Sequence, residues 1–309
     1  IIKIPEALFF YDDLKLLNKI DLKGEIFNLP FSMNLNQEIL NPQKKIININ
    51  YNTLKLNIFN ESIKNKKNNT TGLNIIEIID SKVFTAYDIK DNLITFKSQQ
   101  SKTKNSNLNY NGRISTKPFD FDLDINLKNY EIRKLSNLNS FFINFLETEL
   151  LFNENISSKI SLNIDDSKRG EIFDTAKINF HITNGTINFN NTKFTNDKLG
   201  SIKVVDSLLF VDKGKLTLNC DIVINIKDSK SLFSFLQTPK TIQKVIKKVN
   251  INLDYDFLSN QINLNNFRIN DSKKNKEMIS IINAFYTNKN NNINKIKRII
   301  NKLISLYEG

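Results

Sequence analysis

TAKINFHITNGTINFNNTKF, residues 175–194, alternates apolar and polar side chains on both sides of Asn184-Gly185. Both central residues of a type I′ turn need positive φ, which Asn-Gly accepts with little strain, so the stretch predicts a two-residue β-hairpin. The register sets Ile182 opposite Ile187 and Phe180 opposite Phe189, with His181 opposite Asn188 and Thr183 opposite Thr186. One face is greasy and the other wet. An antiparallel sheet of this kind must bury its apolar side against something.

The same two-residue period recurs from near the start of the chain to residue 269. It marks strands over 24–36, 45–59, 73–79, 82–89, 92–97, 108–116 and 119–127, then 156–164, 176–183, 186–194, 201–211, 215–226, 249–257 and 261–269. Asp212-Lys213-Gly214 suits a three-residue hairpin that pairs Phe210 with Leu216 and Leu208 with Leu218. Ser259-Asn260 sets Phe257 opposite Ile262 and Tyr255 opposite Leu264, with Phe267 and Ile269 out of step as a bulge would leave them. At Asn111-Gly112 a turn and a strand glycine both fit.

Three segments change to helical period. Leu135, Leu138, Phe142, Phe145 and Leu146 mark one helix. A short helix over 231–236 is followed by Thr238-Pro239, read as N-cap and first helical residue of another, with Ile242, Val245, Ile246 and Val249 as its stripe. From about Lys276 a stripe of Met278, Ile281, Ile282 and Phe285 precedes an Asn-rich break, and Ile293, Ile296, Ile300, Leu303 and Tyr307 form a last one. Lys295, Lys297, Arg298 and Lys302 flank it, making a basic amphipathic helix that could lie on an anionic membrane surface, seal the end of a trough or pack on the sheet. The fold class is therefore mainly β: a long curled antiparallel sheet with an open groove and a few helices, divided into a β-rich part over 1–132 and a second region over 133–309.

The chain has 309 residues and a net charge of +12, with Lys interleaved among Asn and Asp along the strands. Without an aromatic RNA-binding motif, zinc spacing or an arginine-rich run, that charge does not mark a nucleic-acid binder. The single cysteine, Cys220, excludes an internal disulfide and reads as an inert, half-buried strand residue. The single histidine, His181, falls on a wet strand face, so neither a catalytic triad nor a metal site is expected. Asp120, Asp122 and Asp124, and later Asp254 and Asp256, are the water-facing side of half-buried strands. No catalytic residue, cofactor or metal is assigned, and the chain is not expected to be an enzyme.

What remains is a large number of amphipathic strands. A sandwich would seal them internally, whereas a curled sheet would leave its greasy side for a guest such as acyl chains, each methylene contributing about 0.8 kcal/mol on burial. From strand phase, Phe180, Ile182, Ile187, Phe189, Leu208, Phe210, Leu216 and Leu218 are the groove-lining, lipid-binding candidates.

The succession SKISLNIDD, KINFHITNGTINFNNTKF and LGSIKVVDSLLFVDKGKLTLNCDIVINI, followed by SLFSFLQTPKTIQKV, NINLDYDFLSNQINLNNFRI and the basic helix, resembles the C-terminal region of AsmA-like proteins over residues 154–309. The resemblance implies a bacterial envelope protein of the bridge-like lipid-transport kind, in which curled β-sheets carry phospholipid between inner and outer membranes. It further implies a periplasmic location with an inner-membrane anchor upstream of this stretch. Phospholipid, the inner-membrane surface and outer-membrane components are the partners it suggests. A structural or assembly protein of the envelope with a closed β-sandwich core is the alternative.

Overall fold

The computed structural model describes residues 2–26, 29–65, 69–78, 81–99, 101–103, 106–133, 152–165, 167, 171–212, 215–257, 261–270, 272, 276–286 and 293–307. It is mainly β, with antiparallel pairing among the described strands, in two compact units, Ile1–Asn129 and Tyr130–Gly309. The helix expected at 135–146 lies outside the described residues.

The first unit is a meander of β1 (Ile2–Asp12), β2 (Leu17–Ile26), β3 (Leu29–Glu38), β4 (Lys44–Tyr51), β5 (Leu56–Lys64), β6 (Thr70–Ile78), β7 (Ser81–Lys90) and β8 (Leu93–Ser98). The two-residue β9 (Lys102–Thr103), β10 (Ser106–Thr116) and β11 (Phe119–Lys128) complete it. Each of β1 to β7 pairs with the next, β7 pairs with β8, and β8 and β9 both pair with β10, which pairs with β11. Two single strands of the sequence reading are hairpins: 24–36 divides between β2 and β3, and 45–59 breaks at a 3-10 turn, Asn52–Leu54, closed by Lys55 at φ 49°. A lysine in the left-handed region gives no warning of the kind Asn-Gly gives. Asn111-Gly112 is strand, inside β10.

Register assigns the faces of this sheet. Ile49, Ile58, Ile76 and Val83 succeed one another across β4 to β7, and Ile89, Ile94, Ile114 and Phe121 across β7 to β11, all on one side. On the other side of β11, Asp120 and Asp122 accept from Arg113 at 3.0 and 2.6 Å, the solvated face expected of that acidic series. The outer face is not wholly polar, since Phe59 and Ile75 pair there.

The second unit contains β12 (Ser157–Asp165), β13 (Thr175–Thr183), β14 (Thr186–Asn188), β15 (Lys193–Asn196), β16 (Gly200–Asp212), β17 (Lys215–Ile226), β18 (Lys248–Asp256) and β19 (Gln261–Ile269). Its helices are α1 (Ser229–Leu236), α2 (Lys276–Tyr286) and α3 (Ile293–Ser305). The Asn184-Gly185 hairpin forms in the expected register, with φ of 50° and 71° at the two turn residues. Its second strand then stops at Asn188, and pairing with β13 resumes only at Lys193. Thr192 bridges the gap: its hydroxyl accepts from Asn179 N at 3.0 Å and donates to Asn179 O at 3.3 Å, standing in for ladder bonds that the corner has lost.

Two further registers differ from expectation. A bulge at Val205 moves β16 from even to odd phase, so Ile202 and Val204 share a face with Leu209 and Val211. Leu209 pairs with Leu218 and Val211 with Leu216, while Leu208 and Phe210 fall on the opposite face. The run Leu208–Val211 is too continuously apolar for alternation to reveal the phase. At the β18–β19 hairpin Tyr255 pairs with Ile262, two residues away from the expected register, and the bulge appears at Asn265. The helix expected after Pro239 is only a 3-10 turn, Lys240–Ile242, because the chain must be extended to enter β18. Ser229 holds it so, donating from Oγ to Ile246 O at 2.8 Å and accepting from Ile246 N at 3.2 Å. The stripe is consequently split: Ile246 is buried and Val245 exposed.

Candidate functional site: two apolar concavities

The sequence left open whether the greasy faces are filled or vacant, and the two units answer differently. In the second unit Phe180, Ile182, Ile187, Leu209 and Leu216 form a dry cluster, with Phe152, Ile156, Phe189 and Leu218 packed against it. Ile187 and Leu209 are 0% exposed. Of the groove candidates, Phe180, Ile182, Ile187, Phe189, Leu216 and Leu218 are therefore brought together, as core rather than as an open lining. Leu208 and Phe210 are not among them, and Leu208 lies exposed on the other face. Their places are taken by Leu209 and Val211.

The other end of this unit is covered by helices. Asp228 starts α1, accepting from Lys230 N at 3.0 Å and Ser231 N at 3.1 Å. Hydrogen bonds from Ser231 and from Lys230 N hold the Asp228 carboxyl below its ordinary value. Asn301 pins α3 beside α1, accepting from Thr238 Oγ1 at 2.6 Å and donating to Leu236 O at 3.1 Å. Leu303, Ile304 and Tyr307 join Phe233, Leu236, Phe267, Ile269 and Met278 in a second buried cluster. The described part of the terminal stripe, Leu303 and Tyr307 with partly buried Ile300, is thus packed into this cluster. Arg298 and Lys302 are exposed, Lys297 lies over the Phe235 ring at 4.6 Å, and the Lys295 side chain is outside the described residues.

Between sheet and helices the packing is incomplete. A cavity of about 370 Å³ opens among Ile202, Ile224, Val249, Ile251, Phe235 and Ile300. That is within the size range of small-molecule sites.

In the first unit the described residues barely cover the apolar face. Among its described residues only Phe31 and Leu127 are buried hydrophobics, and neither buried cluster includes any part of it. Across the middle of the sheet lies a concavity of about 620 Å³, lined by Ile76, Val83, Ile89, Ile94, Phe96, Ile114, Leu123 and Ile125 together with Asn60, Asn74, Thr85, Tyr87 and Tyr110. Strands neighbour one another at about 4.8 Å, so residues of β5 and β11 can line one hollow only if the sheet curls. Aromatic side chains pave it, with Phe96 between Tyr110 at 6.4 Å and Phe121 at 6.3 Å between ring centroids. Strand phase located none of these residues as site candidates, although the same alternation in 73–127 carried the signal.

The remaining sequence candidates are unremarkable. His181 is on the wet face opposite Asn188. Among the described residues no group of three or more His, Cys, Asp or Glu could hold a metal ion, and no helix is long and apolar enough to cross a membrane. Cys220 is buried among the inward residues of β17, and burial, followed by the charges of Asp221 and Asp206, pushes its thiol up to about 11. At pH 8 the thiolate fraction is then about one part in a thousand. Cys220 is expected to resist a disulfide reagent such as DTNB in the native protein and to react at once in guanidinium; rapid native labelling would show that this strand opens.

Compared with known proteins, the chain matches no family model, no curated protein and no solved structure.

Proposed function

We propose that this is a non-enzymatic envelope protein that holds phospholipid tails on the apolar concave faces of its sheets and lets them slide, as a segment of a conduit between inner and outer membranes. The observation that carries the reading is the first unit: an amphipathic sheet whose inner aliphatic and aromatic residues line a hollow of about 620 Å³ instead of meeting a second layer among the described residues. An apolar surface of that kind held open to water is unfavourable unless something occupies it. Acyl chains suit it, because each methylene removed from water adds about 0.8 kcal/mol without directional contacts. The likeness of 154–309 to AsmA-like C-terminal regions supplies the setting, a bacterial periplasm, and phospholipid as the cargo.

The packed cluster of the second unit favours a second reading for that half, a structural or assembly module that anchors the conduit. Lipid extraction from protein purified without detergent distinguishes the two. A conduit is expected to carry phospholipid detectable by mass spectrometry at roughly one or more molecules per chain, by the capacity of such hollows. A lipid-free protein that takes up none from phosphatidylglycerol vesicles would leave only the structural reading.

A further inference from the structure

A straight row of uncharged hydrogen-bonding residues crosses the floor of the first unit's hollow. Asn60 of β5 pairs with Asn74 of β6, Asn74 with Thr85 of β7, and Thr85 with Ser98 of β8. Beyond Ser98, whose Oγ accepts from Tyr110 N at 2.9 Å, the Tyr110 hydroxyl of β10 meets that of Thr85. Because these partners succeed one another from strand to strand, the row runs across the strands, along the axis on which a lipid would travel. Asn60 Nδ2 donates to Asn74 Oδ1 at 2.6 Å and to Tyr87 Oη at 2.7 Å. The Tyr87 hydroxyl proton, Asn60 Oδ1 and Asn74 Nδ2 keep hydrogen-bonding capacity unused among the described residues, and all three side chains line the hollow.

For a surface that only slides hydrocarbon, such a row is a defect. Covering a polar group with alkyl chain and giving it no partner costs about 1–3 kcal/mol on the protein scale. Ile, Leu or Val would avoid that cost at each position, as they do at neighbouring Ile58, Ile76 and Val83. The row makes sense if the guest brings complementary groups. It also limits what they can be: among the described residues no Lys, Arg, Asp or Glu lines the hollow, so a phosphate or carboxylate placed there would lack a counter-charge from them.

The geometry points to a binding site on Asn60, Asn74 and Tyr87 for the uncharged hydrogen-bonding part of an amphiphile, an ester carbonyl or hydroxyl, whose hydrocarbon lies on Ile76, Val83, Ile94 and Phe96. This rests on the reading that the hollow takes lipid. For a phospholipid the row engages the glycerol esters, leaving the charged head group beyond the rim. For a neutral glyceride it engages the whole head.

Calorimetric titration of the full chain with three probes of equal chain length tests the assignment: decanoylglycerol, decanoate and decyltrimethylammonium. The neutral probe is expected to bind at least about five-fold more tightly than either ion, about what one retained hydrogen bond contributes. Tyr87→Phe removes one hydroxyl and keeps the ring; it is expected to weaken the neutral probe by about that factor and to leave decanoate within about two-fold. Asn60→Leu/Asn74→Leu is expected to abolish the ranking while binding persists. If all three probes bind alike and neither variant changes the order, the site assignment is overturned and the lipid reading stands. If none binds, the hollow does not take amphiphiles and both fall.

Discussion

Ile187→Asp is expected to unfold the packed end of the second unit, while Ile76→Asp leaves the first unit folded and sharply weakens its hold on lipid. Ile187 has no exposed surface and sits among Phe180, Ile182, Leu209 and Leu216. A carboxylate there has no water and no partner, which costs about 4 kcal/mol or more, enough to consume much of a domain's stability. Hydrogen exchange resolved over β13 to β17 should show the loss, since a single melting curve of a two-unit chain mixes both transitions. Ile76 lines the open hollow, where an aspartate can hydrate in the absence of lipid. Its cost to folding is about 1 kcal/mol. With a charge on the tail path, phospholipid retention is expected to fall at least about tenfold, by the price of bringing hydrocarbon onto an unpaired ion. Equal destabilisation by the two substitutions would mean that both faces are packed cores.

Gly72→Val has the next largest expected effect, and it acts through shape. A Cβ on Gly72 would come 2.6 Å from the Glu61 carbonyl oxygen and would collide with the Tyr87 ring, which lies flat over the glycine. The backbone of β5 cannot withdraw without breaking its ladder, so the ring must rise. Phe96 covers Gly112 in the same way. These two glycines keep aromatic rings down on the floor of the hollow instead of standing in it. Gly72→Val is expected to cost about 1–3 kcal/mol, as overpacking does. It also parts Tyr87 from Asn60 and narrows the passage, so lipid retention should fall by more than the stability loss explains. Gly72→Val/Tyr87→Ala, which removes the obstructing ring, is expected to recover part of the retention, short of what the Tyr87 hydroxyl contributes. Retention no better than that of Gly72→Val alone, in a folded double variant, would detach the ring from the lipid path.

The amphipathic strands and the Asn184-Gly185 hairpin were legible in the sequence because period and turn chemistry agreed there. Phase was lost where one or the other was silent. Val204-Val205 and the run Leu208–Val211 offer apolar side chains to both faces, so the bulge at Val205 left no mark and Leu208 and Phe210 were placed on the wrong side. The turn at Asn52–Leu54 has Lys55 where glycine or asparagine would have signalled it. The stripe after Pro239 had helical spacing, but Ser229, seventeen residues from Ile246, decides its conformation, and period cannot foresee a contact of that separation. The candidate site failed for a similar reason. Alternation shows which residues share a face; only the partners of that face decide whether it is filled, as in Phe180, Ile187 and Leu216, or open, as in Ile76, Val83 and Phe96.

Photocrosslinking at neighbouring positions of β6 puts the open face to the most direct test. With p-benzoylphenylalanine in place of Ile76 or of Ile75, both apolar and on opposite faces of the sheet, the protein is irradiated in cells and its lipid adducts are weighed by mass spectrometry. An open hollow that holds lipid predicts a phospholipid-mass adduct at position 76 and little or none at 75. No adduct at 76, or adducts of equal yield on both faces, would contradict it.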